Sequence, residues 1–190
     1  CYWAVTISKP TTFVKSYGVN LSETHPASLP RVNGLMFMYD HGIEIVRSTE
    51  IPDYPSLEDK CNACNNIIAC GPVLIDDGKQ VSYRDITESS DEELKRKKAF
   101  YIRRHPRSLI GCDAEGNIYM VVVDGRAKGF AAGMSIAELT KLSSWLGLVE
   151  AMNLGGGGSS ALWSRKYGVL NHPCDNRKFD HEGERKVSST

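Results

Sequence analysis

Short apolar runs separated by turn residues recur along the chain and predict paired β-strands. Three such pairs stand out, at residues 35–39 with 43–46, 73–75 with 80–83, and 109–112 with 118–123. Each intervening segment contains Asp and Gly, the residues that tight hairpin turns favour. Three hairpins in one chain indicate a largely antiparallel sheet.

Two segments have the pattern of amphipathic helices that begin with a capping box. Ser90 precedes Glu93, and Ser135 precedes Glu138, at the spacing of an N-cap residue and the third residue of a helix. Gly147 fits the stop of the second helix. The apolar residues of that helix fall on one stripe: Ile136, Leu139, Leu142 and Leu146. The sequence therefore predicts an α+β fold, a largely antiparallel sheet with hairpins and two helices packed against it.

Charge and hydropathy exclude two broad classes of protein. The chain has 190 residues, and its 23 Lys and Arg balance 23 Asp and Glu. A neutral chain lacks the basic footprint of a general nucleic-acid binder. The longest apolar run, residues 118–123, is far too short to span a bilayer. We expect one domain with no nucleic-acid partner and no transmembrane segment.

The six cysteines leave several interpretations open. Cys61 and Cys64 have the spacing of half a zinc site or of a redox pair, but no second such pair follows. The alternative is that the cysteines are free or locally bridged thiols. Cys1 is compatible with a lipid anchor of a secreted bacterial protein, although the residues after it resemble a buried strand. The first residues lack a signal-peptide pattern, so we expect a processed or trimmed chain.

A run of four glycines is the most unusual feature of the sequence. Residues 155–158 lie between apolar strands predicted at 151–154 and 161–163. Successive backbone N–H groups in such a loop can converge on an anion, although a flexible linker would also be rich in glycine. The loop has neither the Lys of a P-loop nor the spacing of a dinucleotide fingerprint.

Polar residues also follow the apolar strand predicted at 118–123. Asp124, Gly125 and Arg126 come directly after it, where a rigid sheet often presents functional groups. A simple Asp-Gly turn with a surface Arg would look the same. The five histidines show no metal-ligand spacing, so we interpret most of them as structural or exposed.

Taken together, several segments resemble the phosphodiester glycosidase family, which includes a lysosomal enzyme and secreted bacterial proteins. The resemblance covers residues 67–190 and runs through seven blocks in order: 71–79, 106–111, 123–126, 133–135, 153–159, Asn171 and 184–187. One block is weak by itself, but seven in the same order are specific.

The resemblance implies hydrolysis of a sugar 1-phosphodiester, with a phosphorylated carbohydrate such as an N-acetylglucosamine derivative as substrate. It implies two catalytic residues, Asp124 and Asn153. It further implies a substrate-binding set made of Arg107, Arg126, Gly155, Gly156, Gly157, Gly158, Ser159, Asn171 and Arg185. It also implies a secreted, periplasmic or cell-surface location. No cofactor is indicated, and whether a divalent cation assists stays open.

Each residue type suits the role that the resemblance implies. Arg107 and Arg126 would hold the phosphodiester through charge-assisted hydrogen bonds. Asn153 would orient the sugar or an attacking water, and Asn171 would be a supporting polar contact. Asp124 would act as acid, base or stabiliser of the sugar cation.

The sequence departs from the family pattern in two places. Gly155 stands where the family motif has an aspartate, and the family's N-terminal element is not recognisable near residues 4–7. We therefore expect a single phosphodiester glycosidase-like domain over residues 1–190, trimmed or divergent at its N-terminus. The loss of the aspartate favours, as an alternative, a phosphosugar-binding module of the same fold with impaired catalysis. A metal protein held by cysteines is a third interpretation.

Overall fold

Two antiparallel sheets dominate the computed structural model, which describes residues 33–47, 59–60, 62–88 and 98–186. The smaller sheet contains β1 (Gly34–Tyr39), β2 (Gly42–Arg47) and β3 (Asn66–Cys70), with β1 in the middle. The larger sheet has the order β5-β4-β8-β6-β7. Its strands are β4 (Val73–Asp76), β5 (Lys79–Gln80), β6 (Arg107–Cys112), β7 (Ile118–Val123) and β8 (Glu150–Gly156).

The three predicted hairpins are confirmed, as β1–β2, β4–β5 and β6–β7. The second is shorter than predicted, because Ile75 pairs with Gln80 and the ladder ends there. Its turn residues Asp77 and Gly78 have φ values of 46° and 71°, the backbone form that a two-residue hairpin turn requires. Beyond it, Tyr83 donates a hydrogen bond of 2.6 Å to the carbonyl of Val73 and so leaves the strand path.

One of the two predicted helices is confirmed, and the other falls partly outside the described residues. Helix α1 (Arg84–Thr87) is a single turn that the sequence did not predict. Residues 98–102 are helical, but the predicted cap at Ser90 and Glu93 lies outside the described residues. Helix α2 (Ile136–Trp145) begins at Ser135 with the predicted capping box. Gly147 follows the C-cap residue of this helix and has a φ of +77°, the left-handed form expected after a helix.

The carboxylate of Glu138, in the first turn of α2, fixes the N-terminal end of that helix. Its carboxylate accepts hydrogen bonds from Arg104 and from the backbone and hydroxyl of Ser135. The bonds from Arg104, followed by those from Ser135, lower the pKa of Glu138 to about 2. The carboxylate of Glu138 therefore stays ionised well into the acid range, and the capping box is kept there.

The core lies on both faces of the larger sheet, because strand residues alternate between them. Leu109 and Ala151 face α2 and pack with Ile136 and Leu139. Their neighbours Ile110 and Met152 face the smaller sheet, among residues that include Met36, Ile45 and Val73. The fold is thus three layers, helix, five-stranded sheet and three-stranded sheet, which confirms the α+β class. No helix in the described ranges is long and apolar enough to cross a membrane.

A small hairpin completes the described fold near one end of the larger sheet. It consists of β9 (Trp163–Ser164) and β10 (Gly168–Val169), which pair antiparallel. A 3₁₀ turn, Gly157–Ser159, connects it to β8. This arrangement brings the segment after β8 back toward the end of β7.

Candidate active site

The predicted polar residues meet where β7 and β8 end on either side of β6. Arg107, the first residue of β6, pairs with Val123 at the end of β7 and with Gly156 at the end of β8. Asp124 and Arg126 follow β7, and the glycine turn follows β8. The sheet register therefore gathers segments that are 30 or so residues apart in the chain.

Asp124 accepts hydrogen bonds on both carboxylate oxygens. Its Oδ1 lies 2.9 Å from Asn171 Nδ2 and 2.9 Å from the backbone nitrogen of His172. Its Oδ2 lies 2.9 Å from His172 Nδ1. Burial would raise the pKa of Asp124, but the hydrogen bonds from Asn171 and His172 outweigh burial and lower it. Asp124 is therefore an ionised carboxylate at neutral pH, and it orients the imidazole of His172.

His172 is a site residue that the sequence analysis missed. Its side chain is 28% exposed, and Nδ1 is the ring nitrogen that contacts Asp124. The ring of His172 stacks on that of Phe179 with 3.9 Å between centroids. It also makes a tilted contact with the ring of His181, at 4.6 Å between centroids. A histidine whose Nδ1–H is held by a carboxylate has Nε2 as its proton acceptor. The pair is built like the carboxylate–imidazole unit of a general base.

Asn171 connects the Asp124–His172 pair to the glycine turn. Its Nδ2 donates to Asp124 and also, at 2.7 Å, to the carbonyl of Ser160. Its Oδ1 accepts from the backbone nitrogen of Leu162 at 2.8 Å. Each polar atom of the amide is used, so the structure gives Asn171 the role of supporting Asp124.

Two guanidinium groups converge over Gly157. A Cβ placed on Gly157 would lie 3.0 Å from Arg126 Nη1 and 3.0 Å from Arg185 Nη2. Gly157 also has a φ of +71°, so a side chain is disfavoured there on two grounds. Arg126 Nη2 lies 3.2 Å from His105 Nδ1. The predicted binding residues Arg126 and Arg185 are thus brought together.

Asp175 partly neutralises this cationic pair and was also missed by the sequence analysis. Arg185 donates to it through Nε at 2.6 Å and through Nη2 at 3.0 Å. Gly158 donates its backbone N–H to Asp175 Oδ1 at 3.1 Å. These side-chain bonds from Arg185, aided by Gly158 and Arg126, lower the pKa of Asp175. Two guanidiniums and one carboxylate leave an excess of one positive charge beside the turn.

The glycine run is ordered, and its backbone donors are already engaged. Gly155 and Gly156 belong to β8, and the N–H groups of Gly156, Gly157 and Gly158 donate to Ser159 Oγ, Pro106 O and Asp175 Oδ1. These donors are therefore not gathered into an anion nest, and the flexible-linker interpretation does not fit a strand and a 3₁₀ turn. Gly158 leaves room for the side chain of Asp175, since a Cβ there would lie 2.2 Å from Asp175 Cγ. The glycines let charged side chains approach the backbone.

Arg107, the first residue of β6, occupies a structural position. The side chain is 1% exposed. Its guanidinium donates to the carbonyls of Met134, Phe100 and Arg103 and lies 4.6 Å from the centre of the Phe100 ring. Those bonds anchor β6 to the helical segment on one side of the sheet. We therefore move Arg107 from the substrate-binding set to the residues that hold the fold.

Asn153, predicted as catalytic, is also buried, with 1% of its surface exposed. Its Nδ2 donates to the carbonyl of Gly71 at 2.9 Å, and its backbone nitrogen donates to the carbonyl of Pro72 at 2.9 Å. Its Oδ1 has no hydrogen-bond partner among the described residues. These contacts tie β8 to the start of β4, and we leave Asn153 out of the reaction proposed below.

The cysteines of the described segments do not form a metal site. No group of three or more His, Cys, Asp or Glu residues in those segments has the geometry to hold a metal ion. Cys112 and Cys174 are free thiols, and Cys70 is disulfide-bonded. Cys61, half of the predicted zinc or redox pair, lies outside the described residues.

A solved structure of another protein shares the fold over part of its length. The catalytic domain of zebrafish N-acetylglucosamine-1-phosphodiester alpha-N-acetylglucosaminidase, auto-inhibited by its pro-peptide, is similar at 20% identity with a TM-score of 0.57. The match covers 75% of this chain and 45% of that domain, so the chain spans less than half of that domain's length.

Two bacterial structures match less well. A hypothetical protein of Synechocystis is 24% identical with a TM-score of 0.46, over 74% of this chain and 31% of its own. A Burkholderia pseudomallei protein described as a candidate exported protein is 26% identical with a TM-score of 0.48, over 63% of this chain and 25% of its own. A comparison with curated protein sequences finds no significant match.

The sequence profile of the phosphodiester glycosidase family matches residues 4–190. That span includes every site residue described above and also the N-terminal residues in which the family element was not recognised. The resemblance found in seven blocks is thereby confirmed. The chain belongs to the phosphodiester glycosidase family.

Proposed function

We propose that the chain hydrolyses a sugar 1-phosphodiester, releasing the sugar and leaving a phosphomonoester on the other group. The observation that carries this proposal is the Asp124–His172 pair, tied by Asn171 to a turn that carries two converging arginines. One half of the site is built to move a proton. The other half is built to hold an anion.

The arginine pair fits the phosphate of such a substrate. A phosphodiester carries one negative charge, which matches the excess positive charge of Arg126, Arg185 and Asp175. Arg185 is held by Asp175 and by its backbone nitrogen, which donates to Gly158 O at 3.0 Å. The guanidinium is thus oriented before substrate binds, which reduces the entropy lost on binding. Arg126 completes the clamp from the opposite strand end.

His172 is the proposed general base. Its Nε2 accepts a proton from water while the water oxygen forms a bond to C1 of the sugar. The bond between C1 and the phosphate oxygen breaks, and its electron pair stays on the phosphate. The products are the sugar with a free anomeric hydroxyl and the phosphomonoester, and the proton on His172 returns to solvent. Asp124 stabilises the imidazolium during this step.

The leaving group explains how one proton-transfer unit can suffice. Most glycosidases need a second carboxyl group to protonate a departing alcohol oxygen. A phosphomonoester ionises with a pKa of roughly 6, so it departs as a stable anion without that proton. Arg126 and Arg185 would stabilise the developing charge directly. Glycine at position 155 is therefore compatible with activity.

A second candidate function is a phosphosugar-binding module with impaired turnover. The observation that favours it is Gly155, which occupies the position of an aspartate in the family motif. The two candidates differ in what an aspartate there would do. A Cβ on Gly155 would lie 2.9 Å from Ser159 Oγ and 3.3 Å from Ser159 O, so the serine must shift slightly to admit it.

Replacing Gly155 by Asp separates the two functions. If His172 and the arginines suffice, the parent chain hydrolyses N-acetylglucosamine 1-phosphate methyl ester, and Gly155→Asp is no faster, because the shifted Ser159 disturbs the turn. The measurement is the steady-state rate of sugar release. Gly155→Asn is the matched control, with the same size but no charge. A parent that binds without turnover, together with a gain of tenfold or more in Gly155→Asp alone, would establish the binding module instead.

The proposed setting is an oxidising compartment, as a secreted, periplasmic or cell-surface protein. The disulfide at Cys70 supports it, since such bonds persist mainly outside the cytosol.

A further inference from the structure

Large apolar side chains crowd the surface of the β9–β10 hairpin. Trp163 is 64% exposed, Tyr167 67% and Leu170 44%, all within eight residues. No other stretch of eight residues in the described ranges holds more than two exposed large hydrophobic side chains. The proposed reaction uses none of the three. An exposed apolar cluster of this kind marks a surface that meets a partner.

The apolar side chains of the hairpin lie on both of its faces. Trp163 pairs with Val169, so these two side chains share one face. Leu170 N donates to Leu162 O at 2.8 Å, which extends the ladder by one pair whose side chains point to the other face. A polysaccharide or a folded protein would cover one face of such a hairpin. A lipid interface surrounds it on both.

The tip of the hairpin is basic. Arg165 and Lys166 are exposed, and residues 151–174 contain no Asp or Glu. Lys166 Nζ lies 4.7 Å from the centre of the Tyr167 ring, a cation–π contact that keeps charge and ring together. The whole chain has no net charge, so the excess of positive charge belongs to this part of the surface. Such charges are attracted to anionic lipid head groups.

Hydrogen bonds hold the backbone of the hairpin at both ends. At its base, Leu162 N donates to Asn171 Oδ1 at 2.8 Å. At its tip, Tyr167 N donates to Ser164 O at 3.3 Å, and Gly168 has a φ of +72°. The apolar and basic side chains therefore project from a backbone that is ordered before contact, which reduces the entropy lost on binding.

We propose that the β9–β10 hairpin binds the surface of an anionic lipid bilayer. Trp163 and Leu170 enter the boundary between head groups and acyl chains, and Arg165 and Lys166 contact lipid phosphates. Trp and Tyr are enriched at that boundary because their rings are apolar with one polar end. Binding of this kind needs no membrane-spanning segment. The inference is independent of the proposed function, because the reaction assigns no role to these side chains.

Co-sedimentation with lipid vesicles tests the proposal. The parent is expected to bind vesicles of about two parts phosphatidylcholine to one part phosphatidylglycerol, and phosphatidylcholine alone at least about tenfold more weakly. Each Lys or Arg near an anionic surface strengthens binding about fivefold, so Arg165→Gln with Lys166→Gln should weaken it about 25-fold. Added salt should weaken binding of the parent more than binding of this double variant. A parent that binds neither kind of vesicle would overturn the proposal.

Variants of the apolar residues and of matched surface residues complete the test, with thermal unfolding to establish that each is folded. Trp163→Ala with Tyr167→Ala should weaken binding to the anionic vesicles about tenfold or more, because it removes the apolar contact. Two controls should stay within about twofold: Trp145→Ala, which removes a ring 81% exposed at the end of α2, and Lys79→Gln with Arg84→Gln, which removes two exposed cations elsewhere. Hairpin variants that bind like the parent, or controls that lose as much binding, would contradict the proposal.

Tryptophan fluorescence shows which ring meets the lipid. The chain has three tryptophans, so Trp3 is first replaced by Phe, which leaves Trp145 and Trp163. Bromine on the acyl chains quenches a ring that it contacts. Brominated phosphatidylcholine in the anionic vesicles should therefore quench this protein, and the quenching should disappear on Trp163→Phe and persist on Trp145→Phe. Quenching that persists on Trp163→Phe would rule out the hairpin as the lipid contact.

Two further measurements separate this inference from its alternatives. Retention of the parent on chitin or cellulose, without binding to the anionic vesicles, would replace the lipid partner by a polysaccharide and overturn the proposal. Hydrolysis of the soluble methyl ester of N-acetylglucosamine 1-phosphate should have the same kcat and KM in the parent and in Arg165→Gln with Lys166→Gln. A parent that binds vesicles but does not hydrolyse this ester would support the lipid contact and contradict the proposed function.

Discussion

Replacing His172 by Gln is expected to lower kcat by a factor of about 10² to 10⁴, the usual contribution of a general base, with little change in KM. In the proposed reaction His172 supplies the proton acceptor, while Arg126 and Arg185 hold the phosphate. The measurement is steady-state hydrolysis of N-acetylglucosamine 1-phosphate methyl ester, with thermal unfolding to establish that the variant is folded. Asp124→Asn should cause a loss of the same kind, because the amide cannot stabilise an imidazolium.

The double variant distinguishes a working pair from two independent residues. Residues that act as a unit show strongly non-additive effects, so Asp124→Asn combined with His172→Gln should be no slower than His172→Gln alone. His41→Gln is the matched control, since His41 stacks on Tyr39 in the β1–β2 turn, outside the site. A His172→Gln variant with the kcat of the parent would remove His172 from the reaction.

Replacing Arg126 by Ala is expected to lower kcat/KM by about 10- to 100-fold, because hydrogen bonds to charged groups are worth roughly 1.5–3 kcal/mol. Arg126 Nη1 faces the position above Gly157, and its loss would leave Arg185 as the other guanidinium near that position. Arg126→Lys should recover part of the loss, since a lysine keeps the charge but not the two-pronged geometry. Competition by inorganic phosphate should weaken in parallel.

Arg84→Ala serves as the control for this substitution. Arg84 is an exposed arginine in α1, so its removal changes the net charge equally without touching the site. If Arg84→Ala and Arg126→Ala reduced kcat/KM to the same degree, the effect would be one of overall charge. The phosphate would then have to be held elsewhere.

The elements that the sequence predicted well are those with local signals. The turn at Asp77 and Gly78, the capping box of Ser135 and Glu138, and the stop at Gly147 each follow from residues a few positions apart. Such signals act through short-range sterics and hydrogen bonds, so they survive in any tertiary context. Strand lengths were less predictable, because the end of β5 depends on where Tyr83 packs.

The site was predicted in part, because a motif gives residue types and not the direction in which a side chain points. Alternation along β6 puts Arg107 on the face of Leu109, which is a core face, and this signal argues for burial. Arg126, by contrast, follows the end of β7, and Arg185 lies in the irregular segment after β10, yet the two converge over Gly157. His172 and Asp175 were missed because their partners, Asp124 and Gly158, are distant in sequence.

The central claim is that water attacks the sugar carbon and not the phosphorus. Hydrolysis of N-acetylglucosamine 1-phosphate methyl ester in ¹⁸O-labelled water, followed by mass spectrometry of both products, tests it most directly. The account predicts one ¹⁸O atom in the released sugar and none in methyl phosphate, with the two products in equal amounts. Label in the phosphate, or release of N-acetylglucosamine 1-phosphate and methanol, would contradict it.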